Sequence, residues 1–158
     1  MDQVPDSIRA SYEINLSTEE GSAQNISTTL EALDGKGHAF LWNQTFASFS
    51  LAMPIQDLTG DGRDELIIYT MSQDGDNTGS NIAQSIEILS GANGLTLWKK
   101  SVDGGLAYAM VGPDLTGDGK KDLLIYSLGD PSQPSVQAVQ GDNGKHLWST
   151  KEMLIIPS

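Results

Sequence analysis

A nine-residue pattern occurs twice in this chain, and each time it runs straight into an apolar stretch. Asp57-Leu58-Thr59-Gly60-Asp61-Gly62-Arg63-Asp64-Glu65 leads into Leu66-Ile67-Ile68-Tyr69. Asp114-Leu115-Thr116-Gly117-Asp118-Gly119-Lys120-Lys121-Asp122 leads into Leu123-Leu124-Ile125-Tyr126, 57 residues later. Carboxylate or hydroxyl oxygens stand at positions 1, 3 and 5, glycine at 6, and a carboxylate at 9. Oxygens spaced this way converge on one point only if the backbone turns sharply, and glycine permits that turn by accepting positive φ. Ca²⁺ takes six to eight oxygen ligands at roughly 2.3–2.6 Å. The spacing therefore predicts two cation cages. In the first, Asp57, Asp61 and Glu65 give carboxylate oxygens, Thr59 acts directly or through water, and Arg63 gives its carbonyl. Asp114, Thr116, Asp118, the Lys120 carbonyl and Asp122 repeat the set, while Asp64 and Lys121 at position 8 point away. The competing reading is a Gly/Asp-rich turn between two strands, with no metal.

An EF-hand opens the same way but closes with Glu at position 12 and continues as a helix. Position 12 here is Ile68 in one repeat and Ile125 in the other, inside a run rich in β-branched residues. A strand leaves each loop, not a helix. The nine-residue spacing resembles the loops of FG-GAP (VCBS-like) repeats, the calcium-binding blades of β-propellers such as integrin α-chain heads. That resemblance implies an all-β, calcium-stabilised, extracellular protein. Thr59 and Thr116 depart from it, because position 3 there is often Asp or Asn; a neutral hydroxyl is the weaker ligand.

A second repeat occurs three times. Leu33-Asp34-Gly35 leads to Leu41-Trp42, Leu89-Ser90-Gly91 to Leu97-Trp98, and Val139-Gln140-Gly141 to Leu147-Trp148, with nine residues from the apolar start to Trp in each. Asn93-Gly94 and Asn143-Gly144 between apolar runs are strong hairpin signals. Each unit is predicted to be a β-hairpin with Trp on its outgoing strand. It resembles the Trp hairpin of quinoprotein (PQQ-type) propellers, where Trp docks between adjacent blades. The competing role for Trp42, Trp98 and Trp148 is to line a ligand site; their equivalent places in three repeats favour packing.

In chain order, Ser7–Leu16 alternates with period 2, and Ile26–Leu33 is a second strand candidate. Further strands are expected over 49–55, 65–70, 85–89, 95–99, 106–112, 122–127, 135–139 and 145–149, with a polar loop over 72–81. Four-stranded units at a fixed period read as propeller blades. The expected organisation is one propeller-type domain over 1–158: a partial blade at 7–46, blades at 48–102 and 105–150, and a lone strand at 151–157. The first blade lacks its inner strand, and the tail containing Met153-Leu154-Ile155-Ile156 is the piece it lacks. Because propellers usually close with four to eight blades, strand exchange between two copies, giving a six-bladed homodimer, is expected; excision from a longer propeller is the alternative.

Charge and composition narrow the function. Twenty-one acids against nine bases give a formal charge of −12, which disfavours a phosphate backbone as partner. No Cys is present, so disulfides, thiolate metal sites and Cys nucleophiles are excluded. No apolar run is long enough to span a membrane, and the first residues do not read as a signal peptide. His38 and His146 both fall in hairpin repeats, where a structural role is expected, and no Ser/His/Asp set or phosphate loop is visible. Asn15, Asn25 and Asn43 begin N-glycosylation acceptor triplets. Asp74-Gly75-Asp76-Asn77 is read as a solvated loop, with a further cation site as the alternative. The expected function is a non-enzymatic, extracellular calcium-binding segment for surface structure, adhesion or recognition, with an unidentified protein or glycan partner. The alternative is a fragment of a propeller enzyme, a quinoprotein dehydrogenase or a polysaccharide lyase.

Overall fold

The computed structural model describes residues 6–15, 25–73, 82–102, 105–128 and 135–151. Among these residues, eleven strands form three antiparallel sheets and no helix occurs. The first sheet has β1 (Ser7–Asn15), β2 (Asn25–Leu33) and β3 (Phe40–Phe46). The second has β4 (Phe49–Pro54), β5 (Leu66–Gln73), β6 (Ile82–Leu89) and β7 (Thr96–Val102). The third has β8 (Ala107–Val111), β9 (Asp122–Ser127), β10 (Ser135–Gln140) and β11 (His146–Thr150). Strands follow one another across each sheet in sequence order, and none of the sheets closes on itself.

The all-β expectation is met, and the first sheet has the three strands its sequence predicts. Several strand ends differ: β6 begins at Ile82 rather than Ser85, and β7 runs to Val102 rather than Lys99. Ser72 and Gln73, assigned to a loop, extend β5, where Gln73 pairs with Ile82. The rest of that loop, with Asp74 and Asp76, lies outside the described residues. So does the tail beyond Lys151, on which strand exchange depends.

Alternation sorts each strand into two faces. Leu66 and Ile68 join Leu30, Ala32, Trp42, Phe46 and Leu89 in one buried cluster between the first and second sheets. Their neighbours Ile67 and Tyr69 point the other way, into a cluster with Trp98, Leu123, Ile125 and Val139 between the second and third sheets. The core is thus two successive seams. A third cluster, Leu124, Tyr126, Val136 and Ala138, draws only on β9 and β10, flanked by Leu147 and Trp148 of β11. The face of the first sheet turned away from the second is polar: Arg9 pairs with Glu31 and Ser11 with Thr29, and Thr29 Oγ1 lies 3.1 Å from Thr45 Oγ1.

All three hairpins share one geometry. The register shifts at Ala32/Leu33, Ile88/Leu89 and Ala138/Val139, so a β-bulge at Leu41, Leu97 and Leu147 sits beside each Trp on its own strand. The turn is then closed by two backbone bonds, for example Ser90 N–H to the Leu95 carbonyl and Gly94 N–H to the Ser90 carbonyl. The fifth turn residue has positive φ: 71° at Gly94, 69° at Gly144 and 53° at His38. The Asn-Gly pairs therefore close a longer loop than the two-residue turn such a pair suggests. Asn93 and Asn143 side chains brace it by accepting the N–H groups of Leu95 and Lys145.

Candidate functional site

The first acidic loop joins β4 to β5, and the Ile55 N–H to Glu65 carbonyl bond, 2.8 Å, closes its base. Leu58, the one aliphatic residue in the loop, is fully buried and anchors it to the core. That anchor carries the neighbouring polar atoms inward. Glu65 is also fully buried, with Oε2 accepting the Leu58 N–H at 2.5 Å and Oε1 accepting the Thr59 hydroxyl at 3.1 Å. Asp57 turns both oxygens toward the loop backbone: Oδ1 accepts Gly60 N–H at 2.7 Å and Oδ2 accepts Gly62 N–H at 2.8 Å. Asp61 Oδ1 accepts the Arg63 N–H at 2.9 Å. Gly60 and Gly62 have φ of 82° and 86°, so the sharp turn read from the sequence is made by the glycines.

These contacts gather Asp57, Asp61 and Glu65, whose ligand oxygens lie within 4.8 Å of one another. The ion pairs Lys99–Glu87 and Lys120–Asp142 lie elsewhere, and among the described residues none joins a side-chain cation to the trio. The electrostatics follow. Burial, reinforced by the charges of Asp57 and Asp61, raises the Glu65 carboxyl above its ordinary range despite the bonds from Leu58 and Thr59. Burial acts the same way on Asp57, but the N–H groups of Gly62, Gly60, Asp61 and Thr59 outweigh it and lower its pKa. The loop backbone thus favours the charged form of Asp57, while burial disfavours that of Glu65 beside it.

The second loop repeats the backbone. Gly117 and Gly119 have φ of 79° and 85°. Asp114 accepts N–H groups from Gly117 at 2.6 Å and Gly119 at 2.7 Å, and Asp118 accepts from Lys120 at 2.9 Å. Hydrogen bonding, from Gly119 foremost, lowers the Asp114 pKa. Asp122 is buried and accepts the Leu115 N–H at 2.6 Å, the counterpart of Glu65 and Leu58. Unlike the first loop, Asp114, Asp118 and Asp122 do not converge to within the same 4.8 Å sphere. Asp122 is one methylene shorter than Glu65, which shortens its reach toward the other two. Thr116 Oγ1 lies 3.3 Å from Asp114 Oδ1, parallel to Thr59.

Position 8 is exposed in both loops, at Asp64 and Lys121. Position 7 differs. Arg63 is exposed, whereas the Lys120 Nζ lies 2.6 Å from Asp142 Oδ2 and ties the second loop to the β10–β11 turn. Sequence reasoning did not reveal that pair, because the second repeat has Ala92 where the third has Asp142. Also missed was the anchoring role of the leucine at position 2, although an aliphatic residue in an otherwise polar loop was a visible signal.

Fold and site together define an all-β chain of stacked antiparallel sheets with acidic, glycine-turned loops at corresponding places in two of them. Searches against protein-family models, curated proteins and solved structures return no match for it.

Proposed function

We propose that this chain is a non-enzymatic, calcium-binding segment of a β-propeller, its sheets being blades and its two acidic loops the metal sites. The observation that carries this reading is the Asp57–Asp61–Glu65 trio, three carboxylates within 4.8 Å with no cationic side chain among them. An all-oxygen donor set suits a hard cation such as Ca²⁺ rather than Zn²⁺. Asp57, Asp61 and Glu65, with Thr59 and the Arg63 carbonyl, would hold the first ion; Asp114, Thr116, Asp118, the Lys120 carbonyl and Asp122 the second. A bound ion supplies positive charge between two strands and so fixes the link between inner and second strand of each blade. The reading assigns no catalytic residue. Surface structure, adhesion or recognition outside the cell is the proposed setting, in which millimolar calcium would keep even weak sites filled.

Calcium that binds only the folded chain stabilises it by RT ln(1 + [L]/Kd), about 2.7 kcal/mol per site at a hundredfold excess over Kd. The melting temperature is expected to rise with calcium and fall with EDTA, and Glu65→Gln is expected to remove part of the rise. Identical melting curves in calcium and EDTA would refute the proposal.

A further inference from the structure

Three asparagines of the chain, Asn15, Asn25 and Asn43, begin an Asn-x-Ser/Thr triplet, and each belongs to a different strand of the first sheet. The sheet brings them onto one face. Asn43 pairs with Glu31, and Glu31 with Arg9. Thr45, the hydroxyl residue of the Asn43 triplet, pairs with Thr29, and Thr29 with Ser11. Asn15 pairs with Asn25, six residues along the strands from Arg9 and Glu31. Alternation puts every second residue on the same face, so all three acceptor positions share it. A one-residue slip of any strand would move its asparagine to the other side. The rest of the Asn15 triplet lies outside the described residues.

Burial identifies the face. In β2, Thr28, Leu30 and Ala32 are buried, whereas Ser27, Thr29 and Glu31 are only partly so. In β3, Trp42 and Phe46 are buried, but Asn43 and Thr45 are exposed. The acceptors thus stand on the face turned away from the second sheet, where Arg9, Ser11 and Glu13 are exposed as well. The other sheets offer no such place. The second buries Leu66 and Ile68 on one face and Ile67 and Tyr69 on the other. The third likewise buries Leu123 and Ile125 on one face and Leu124 and Tyr126 on the other. Neither of those sheets carries an acceptor triplet. Asn43 lies on an edge strand, because β3 pairs only with β2 among the described residues. An edge invites pairing with another chain, and a bulky, solubilising group there opposes it.

We propose that the outward face of the first sheet carries N-linked glycans, at Asn43 and, on the same face, at Asn15 and Asn25. The Asn43 amide nitrogen attacks the anomeric carbon of a lipid-pyrophosphate-linked oligosaccharide. An N–C bond forms, the bond from that carbon to the pyrophosphate oxygen breaks, the amide gives up one proton, and the lipid pyrophosphate leaves. Transfer precedes strand pairing, so the Thr45 hydroxyl, which in the folded sheet lies 3.1 Å from Thr29 Oγ1, is free at that stage. The inference rests on the proposed setting outside the cell and is independent of calcium.

Glycopeptide mass spectrometry of the whole chain purified from the cells that make it tests this directly. Sugar is expected on the peptide containing Asn43. An unmodified Asn43 overturns the inference, and if that chain is recovered from the cell surface, the extracellular reading survives the loss. Translation behind a secretion signal, with glycosylating microsomes present, then examines each acceptor whether or not the chain is secreted. Three glycans are expected, and two after Asn15→Gln, Asn25→Gln or Asn43→Gln. Fewer than three overturns the assignment at the position left empty. Enzymatic release of the glycans from the folded, secreted chain is expected to shift the melting temperature by at most about 2 °C, as for changes on an unpacked surface. Failure of the glycan-bearing chain to fold, when the Asn→Gln variants do fold, overturns the placement of these residues on a solvent face.

Discussion

Replacing Gly94 by Ala should be among the most damaging single-methyl additions in this protein. Two costs add. At φ 71° an L-residue clashes with its own backbone, at about 1–2 kcal/mol. The new Cβ would also sit 2.5 Å from Trp42 Cε3, where carbon–carbon contacts settle at about 3.5–4.0 Å. The indole must then withdraw by about 1 Å, which strains the 3.2 Å bond from its N–H to the Gly91 carbonyl. Overpacking of this kind costs about 1–3 kcal/mol, and a weakened hydrogen bond about 1 kcal/mol. The sum is about 3–6 kcal/mol. Gly117→Ala separates the parts: its φ is 79°, but nothing lies within 4 Å of the added Cβ, so only the backbone cost of about 1–2 kcal/mol remains. Urea denaturation of both variants in EDTA removes any metal contribution. If Gly94→Ala is no worse than Gly117→Ala, the indole does not rest on the turn, and the account of how the sheets are joined is wrong.

Other outcomes follow from the same contacts. Leu58→Ala is expected to cost about 2–5 kcal/mol as a core truncation, whereas Leu115→Ala, at a residue 42% exposed, should stay within about 0.5 kcal/mol; denaturant midpoints compare them. Burial raises the Tyr69 pKa, against the lowering effect of the Ala109 N–H. The folded pKa then lies above the unfolded value of about 10, so this group's contribution is complete below about pH 10 and lost as pH rises through the folded pKa. Tyr69→Phe should therefore flatten the alkaline fall in stability, and at neutral pH cost about 1 kcal/mol through the unpaired Ala109 N–H; a pH series of melting curves reads both.

Much of this was legible in the sequence because the chain repeats itself. Period-2 alternation placed the strands, and the Gly/Asp loops stood out by their oxygen spacing. The Trp hairpins announced equivalent positions before any contact was known. What stayed hidden depended on a neighbour. Gly94 and Gly144 read as turn residues, yet their second role is to let an indole from another sheet lie on them. His38 read as an ordinary turn histidine, yet it holds the positive-φ position that glycine fills in the other two hairpins. Asp122 and Glu65 looked interchangeable at position 9, but one methylene separates a trio that converges from one that does not. The long reach of β5 to Gln73 was obscured by the polar residues at its end.

Calorimetric titration of the chelator-stripped chain with calcium tests the central claim most directly, with Asp57→Ala beside the wild type. Two equivalents are expected, one at each loop, with the first loop binding more tightly because Asp57, Asp61 and Glu65 already converge. Asp57→Ala should remove that tighter event and leave the other. A wild-type chain that is folded in EDTA and takes up no calcium at millimolar concentration would contradict the account.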